Sequence, residues 1–280
     1  MKHAQAVLVV ALVVLAAGRG GVSASAQVES TGNSAANAAN WRGFAAWLAK
    51  RAAAGKFSGA VLIARDGKPV VKQANGFADR QRKRPNTVDT KFNIGSVGKS
   101  FTGLAIAQLV AAGKLSFDDP IGKYISGFPP EVASGVTIGQ LLTHTSGLGD
   151  VFMRWHPTAP ARLDIAEILA SIVKEALQFQ PGSRFGYSNS GYVALGAIIE
   201  AVTGQNYYDY VREHVFKPAG MKQTGWYSPG QVPNMAHGYT QVDTSGTWVA
   251  GNPSGGVYST VGDLLRFAQA LIKRRLLSPR

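Results

Sequence analysis

Residues 93–100, Asn-Ile-Gly-Ser-Val-Gly-Lys-Ser, carry two overlapping chemistries. Gly98-Lys99-Ser100 is the tail of a nucleotide-binding P-loop. Ser96 and Lys99, three positions apart, are the serine–lysine pairing of acyl-transfer enzymes. A P-loop wraps phosphate with a glycine-rich backbone and needs its first glycine at position 93, which is Asn93. A buried strand should also lead into it, whereas the polar "TVDTKFN" does so here. The nucleotide reading fails on both counts.

S-x-x-K alone is a weak pattern, expected roughly once by chance in a chain of this size. A second copy, Ser171 and Lys174, lies in "DIAEILASIVKEALQF", where Ile165, Ile168, Leu169 and Ile172 form one apolar stripe. That pair reads as ordinary helix residues. Ser96 instead precedes "VGKSFTGLAIAQLVAAG", apolar nearly all round and ending at Gly113, which predicts a buried central helix. A serine at the first turn of such a helix sits near the positive end of its dipole. Lys99, one turn on, shares that face. Burial lowers a lysine's pKa, so its neutral amine becomes available to accept a proton from the serine.

The elements around this pair follow from pattern. Residues 41–54 predict a helix with Phe44, Trp47 and Leu48 on one side. "FSGAVLIARDGKPVVKQANGFAD" holds two apolar runs about Asp66-Gly67, a hairpin signal, with Pro69 implying a late start or an exposed edge for the second strand. From Phe92 to Gly204 helical signals dominate, and Val261–Arg275 predicts a last helix with a capping box at Thr260 and Asp263. No internal repeat is visible.

Other chemistries lack a foothold. His3 falls in the N-terminal segment, and His144, His156, His214 and His237 form no metal-ligand pair at helical spacing. His144, in "THTSGL", reads as a loop histidine satisfied by its neighbours. No G-x-S-x-G nucleophile elbow occurs. Tyr187, taken alone, reads as a half-buried aromatic ahead of a helix, and Asn189 as that helix's N-cap.

With these residues in view, the chain resembles the serine β-lactamase and penicillin-binding-protein superfamily, in the branch of the class C β-lactamases and related esterases. The first motif is "FNIGSVGKSFTG" (92–103), and the second is Tyr187-Ser188-Asn189, within "FGYSNSGYVALGAIIEAVTG" (185–204). Supporting blocks are "KLSFDDPI" (114–121), "LLTHTSGL" (141–148), "FKPAGMKQT" (216–224) and "GGVYSTVGDLLRFAQAL" (255–271). The likeness runs from about Trp41 to Pro279. It implies an α+β, β-lactamase-like fold: an antiparallel sheet flanked by terminal helices, joined to an all-helical region. It further implies catalytic roles for Ser96 as nucleophile, Lys99 as its proton partner and Tyr187 as the acid–base that cycles the proton. Asn189 would hydrogen-bond Lys99 and the carbonyl side of the substrate. The expected substrate is a small ester, lactam or peptidoglycan-like peptide, with small esters slightly favoured. A β-lactamase or D-alanyl-D-alanine carboxypeptidase is the alternative, and a non-catalytic acyl-binding sensor a third. No cofactor and no metal are implied.

The N-terminus reads as a signal peptide, residues 1–26. The apolar run Ala6–Ala17 is 12 residues, too short to span a bilayer, and Ala24-Ser25-Ala26 is a small-residue cleavage site. With no cysteine in the chain, neither a lipid anchor nor a disulfide is available. The expectation is an exported protein, periplasmic or extracellular, with no stable membrane anchor. Residues 27–40 read as a flexible leader, 41–91 as a helix and hairpin, 92–254 as a mainly helical region, and 255–280 as a closing helix. Of 29 basic residues, Lys2 and Arg19 fall in the signal segment, leaving 27 against 16 acidic, a formal +11. For an exported protein that argues for a solvated basic surface rather than nucleic-acid binding. Oligomeric state stays open.

One departure stands out. The third family motif, Lys-Thr-Gly or His-x-Gly, occurs nowhere in the sequence. It would supply a second oxyanion N–H beside that of Ser96, and the sheet strand that carries it. The expectation is a C-terminally truncated chain, the alternative being a short homologue completed by another protomer. A two-stranded sheet is marginal without a further partner.

Overall fold

The structure, a computed structural model, describes residues 14–15, 34–153, 164–227, 232–238 and 251–277. It has the mixed α+β character expected of the family. The chain forms two compact units. One takes its described residues from Met1–Phe92, Asn234–Gly246 and Thr260–Gln269, the other from Asn93–Pro233, Thr247–Ser259 and Ala270–Arg280. The first unit breaks off after Phe92. The return of two later segments to the first unit has no local signal.

In the first unit, strand β1 (Val14–Leu15) runs parallel to β2 (Gly59–Arg65), and helix α1 (Ser34–Ala53) lies between them in sequence. The rest of the expected signal peptide, cleavage site included, lies outside the described residues, as do residues 27–33 of the expected leader. The second half of that leader is helical, a correction: α1 begins at Ser34 because Ala35, Ala36, Ala38 and Ala39 supply strong helix propensity without a hydrophobic pattern to reveal it. Of the three residues expected on its inner side, Leu48 is buried while Trp47 stays 53% exposed. Strands β2 and β3 (Lys68–Asn75) form an antiparallel hairpin whose two-residue turn holds Asp66 at φ 51° and Gly67 at φ 74°, the mirror-image turn that Asp-Gly favours. Among the described strands β3 is the outer one in the order β1-β2-β3, which is the exposed edge expected for Pro69. β3 starts before it, and a register irregularity between Ile63 and Ala64 leaves Val70 as the extra residue of a bulge, so the missing N–H interrupts no regular ladder. A short ribbon, β4 (Phe77–Asp79) with β5 (Arg84–Pro85), follows.

In the second unit, β6 (Phe92–Asn93) leads through a 3₁₀ turn at Gly95–Gly98 into α2 (Lys99–Ala111). Phe101, Leu104, Ala105, Ile106 and Leu109 of α2 are buried, each large side chain contributing about 1.5–3 kcal/mol. Gly113, at φ 68°, ends it, with Lys114 N–H bonded back to the Leu109 carbonyl. Helices α3 (Pro130–Gly135) and α4 (Ile138–Leu142) follow, α4 opened by a Thr137/Gln140 capping box. α5 (Ile165–Ile172) and α6 (Asn189–Thr203) pack together, and α6 is buried from Ser190 to Gly196. α7 (Tyr207–Val211) continues through a π-turn to α8 (Lys217–Ala219). Strands β7 (Gly225–Trp226) and β8 (Val257–Ser259) pair antiparallel. The last element, α9 (Val261–Ile272), has its residues up to Gln269 in the first unit, and Thr260 Oγ1 accepts the Asp263 N–H at 3.2 Å. Among the described residues no helix is long and apolar enough to cross a membrane.

Candidate active site

All four residues singled out in the sequence meet in the second unit. Ser96 is exposed in the Gly95–Gly98 turn, which Asn93 fixes by accepting the Gly95 N–H at 2.8 Å. The turn is 3₁₀ rather than the α-helical first turn expected. With three residues per turn, positions i and i+3 eclipse, so Ser96 stands directly over Lys99. Gly98 is required at the back of this turn: a Cβ there would lie 2.7 Å from Val257 Cγ2.

Lys99 is only 7% exposed, and its amine has three acceptors. It donates to Asn189 Oδ1 at 2.6 Å and to the Ser254 carbonyl at 2.5 Å, and it lies 3.4 Å from Ser96 Oγ. Burial pushes its pKa below the ordinary lysine value, while the Tyr187 hydroxyl and the Asp150 charge oppose that shift. A neutral amine has two N–H groups and one lone pair. In that form the two shorter bonds would take both hydrogens and leave the lone pair for the 3.4 Å contact with Ser96 Oγ.

The hydroxyl of Tyr187 is 2.7 Å from Ser96 Oγ, and Lys99 Nζ lies 4.8 Å from the centre of its ring. Tyr187 is 47% exposed, open to an incoming molecule on its outer edge. Asn189 is not the N-cap of α6, which corrects the structural alternative. Ser188 holds that place, its Oγ accepting the Gly191 N–H at 2.9 Å and donating to the Gly149 carbonyl at 2.7 Å. The Asn189 amide is therefore free of capping and spans two partners, Lys99 through Oδ1 and Asp150 Oδ2 through Nδ2 at 2.7 Å.

Two members of the site carry no sequence signal of their own. The Ser254 carbonyl is a backbone group, held by an anchored loop. Thr102 Oγ1 donates to the Pro253 carbonyl at 2.7 Å and is 2.7 Å from the buried Tyr207 hydroxyl, and Tyr208 Oη donates to the Gly251 carbonyl at 3.1 Å. Tyr207 and Tyr208 pack edge-on against Trp226. Asn252 Oδ1 accepts both the Ser254 N–H and its hydroxyl, fixing the loop from within. The second is His144, whose ring stacks on that of Tyr187 at 4.5 Å. Of the other histidines, His214 packs on Tyr210, and His237 Nε2 lies 3.6 Å from Asp79 in the first unit. His156 lies outside the described residues. Among the described residues no three His, Asp or Glu side chains gather as a metal site would require.

A fold of this kind with a serine–lysine–tyrosine cluster at the start of a buried helix defines the serine β-lactamase and penicillin-binding-protein class. The family model described as Beta-lactamase matches residues 44–280, and the chain belongs to that family. Among its relatives is Penicillin-binding protein 4* of Bacillus subtilis, 34% identical over 247 residues, covering 80% of this chain and 54% of the relative. Esterase EstB of Burkholderia gladioli is 38% identical over 182 residues, covering 60% of this chain and 46% of that protein. The crystal structure of a penicillin binding protein from Bacillus halodurans superposes with a TM-score of 0.74 at 34% identity, covering 82% of this chain and 74% of the other. The chain spans about half the length of the curated relatives it matches.

Proposed function

We propose that this protein is an exported serine hydrolase that works through an acyl-enzyme, with Ser96 as nucleophile. The observation that carries this reading is the sharing of one serine oxygen between two proton acceptors: Ser96 Oγ is 2.7 Å from Tyr187 Oη and 3.4 Å from Lys99 Nζ. As Ser96 Oγ forms its bond to the substrate carbonyl carbon, its proton passes to the neutral Lys99 amine, directly or through the Tyr187 hydroxyl, which takes it up as it gives its own proton on to Lys99. The carbonyl oxygen gathers charge near the Ser96 N–H, and collapse of the tetrahedral species expels the leaving group, which takes the proton. Water then attacks the acyl-enzyme with the same groups acting in reverse, releasing acid and restoring Ser96. Asn189 holds the lysine through its Oδ1 at 2.6 Å.

Export is supported by the apolar run Ala6–Ala17 ahead of Ala24-Ser25-Ala26. A small ester is the favoured substrate, supported by the blocks "LLTHTSGL" and "FGYSNSGYVALG" and by the likeness to EstB. A β-lactam or D-alanyl peptide is the second reading, favoured by the likeness to penicillin-binding proteins.

Intact-mass measurement of residues 27–280 after incubation with a fluorophosphonate and, separately, with a penicillin tests the reading. One adduct per chain is expected, absent in Ser96→Ala, and turnover of a p-nitrophenyl ester but not of the penicillin would favour the esterase. A folded protein that takes neither reagent would refute the proposal.

A further inference from the structure

The loop residue His144 is bonded to, or stacked against, four consecutive residues, 185–188. Its ring meets Phe185 edge-on at 5.7 Å. Its carbonyl accepts the Gly186 N–H at 2.8 Å. Its ring stacks on Tyr187 at 4.5 Å with 28° between the planes. Its Nδ1 accepts the Ser188 N–H at 3.1 Å. The backbone on both sides of Tyr187 is thus fixed to the same residue whose ring covers the phenol. His144 also adopts φ 58°, a left-handed conformation uncommon in non-glycine residues but one in which histidine, like asparagine and aspartate, is enriched. No turn chemistry in "THTSGL" demands a histidine there, since Gly or Asn would also hold that backbone.

The geometry points to His144 as the positioning residue that holds the Tyr187 hydroxyl on Ser96 Oγ, an assignment that rests on the serine-hydrolase reading above. A 2.7 Å contact between two side chains 91 positions apart depends on where each backbone is held. The Ser96 side is set by the 3₁₀ turn, and the Tyr187 side by this clamp. A stacked ring also limits the phenol to rotation in its own plane, so the hydroxyl stays directed at the serine. Accepting the Ser188 N–H requires a bare Nδ1, which fixes the neutral imidazole with its proton on Nε2. Burial and the positive charge of Lys99 both hold the imidazole below its ordinary pKa, consistent with that form. The tilted ring of Tyr192, at 5.2 Å, packs on it as well.

The test is a double-mutant cycle read by fluorophosphonate labelling, with the ¹³Cζ resonance of Tyr187 in tyrosine-labelled protein as a second readout. That resonance is assigned by its loss in Tyr187→Phe. His144→Gly accepts the left-handed backbone and removes both the ring and Nδ1. His144→Asn tolerates the same backbone and restores an acceptor for Ser188 N–H. Labelling of His144→Gly is expected to fall about tenfold, as a misplaced reacting group would, and His144→Asn to recover part of it. In the Tyr187→Phe background, where no hydroxyl remains to be placed, His144→Gly should change labelling less than about twofold. The Tyr187 resonance should move in His144→Gly. An equal loss in both backgrounds, or an unmoved Tyr187 resonance, would overturn the assignment. If the wild-type chain takes no label, the serine-hydrolase reading fails instead, and the resonance alone decides whether His144 holds Tyr187.

Discussion

At the scale of single residues, the proposed chemistry turns on Lys99. Its pKa is lowered chiefly by burial, so the ammonium is the disfavoured form in the folded protein. The unfolded chain then binds more protons between the lowered value and about 10.4, and stability rises with pH across that window. Labelling of Ser96 should follow the same ascending limb as the amine loses its proton, with a midpoint below the ordinary lysine value. Lys99→Met should abolish the limb and slow labelling about 10²-fold or more. A pH profile on both proteins checks this, and an unchanged limb in Lys99→Met would assign it elsewhere. Ser96 and Lys99 could be singled out from their spacing and the buried helix after them, whereas Tyr187 and Asn189 entered only through the family resemblance, since alone they read as an aromatic ahead of a helix and as its N-cap. The Ser254 carbonyl could not be singled out, since any residue carries one. His144 was seen as a satisfied loop residue, because the stacking that sets its place spans 43 positions.

At the scale of elements, two glycines of the central helices separate packing from propensity. Gly196 of α6 lies where a Cβ would stand 2.2 Å from Pro253 Cγ, and the proline ring has no rotamer with which to withdraw. Gly196→Ala is expected to cost about 1–3 kcal/mol. It should also slow labelling, because it pushes on the loop that offers the Ser254 carbonyl to Lys99. Gly103 of α2 has only Leu142 Cδ2, at 3.7 Å, near the same position. Gly103→Ala should therefore stabilise by up to about 1 kcal/mol through helix propensity. Thermal unfolding of the two variants checks the opposite signs. The hairpin at Asp66-Gly67 and the buried helix after Ser96 could be read from pattern. The bulge at Val70 could not, because it is the ladder's answer to Pro69 and depends on the partner strand. The early start of α1 was hidden for another reason: alanine makes a helix without an apolar stripe.

At the scale of the whole molecule, charge governs behaviour in acid. The chain carries 29 basic and 16 acidic residues, so protonating carboxylates leaves an increasingly unbalanced positive charge. Asp119 resists longest among the shifted carboxylates. Bonds from Tyr124, from Lys123 and from the Ser116 N–H hold its pKa at about 2. A depressed carboxylate contributes stability that is complete above its unfolded pKa, about 3.9, and is lost as pH falls toward 2. Asp119→Asn should flatten the fall in stability between about pH 4 and pH 2, measured by denaturant midpoints, and a curve parallel to wild type would exclude this role. The grouping of the described residues of 234–246 and 260–269 with those of the first ninety-two had no sequence signal, since nothing local marks a segment that returns. The same long reach has a consequence for synthesis on the ribosome. Lys99 is held by Ser254, 155 positions downstream. After Asn189 has been made, about 65 residues remain before Ser254, roughly 3–13 s at 5–20 residues per second. Throughout that interval Asn189 is available to Lys99 but the Ser254 carbonyl is not. On the function proposed above, the full arrangement around Ser96 is therefore completed only late in translation.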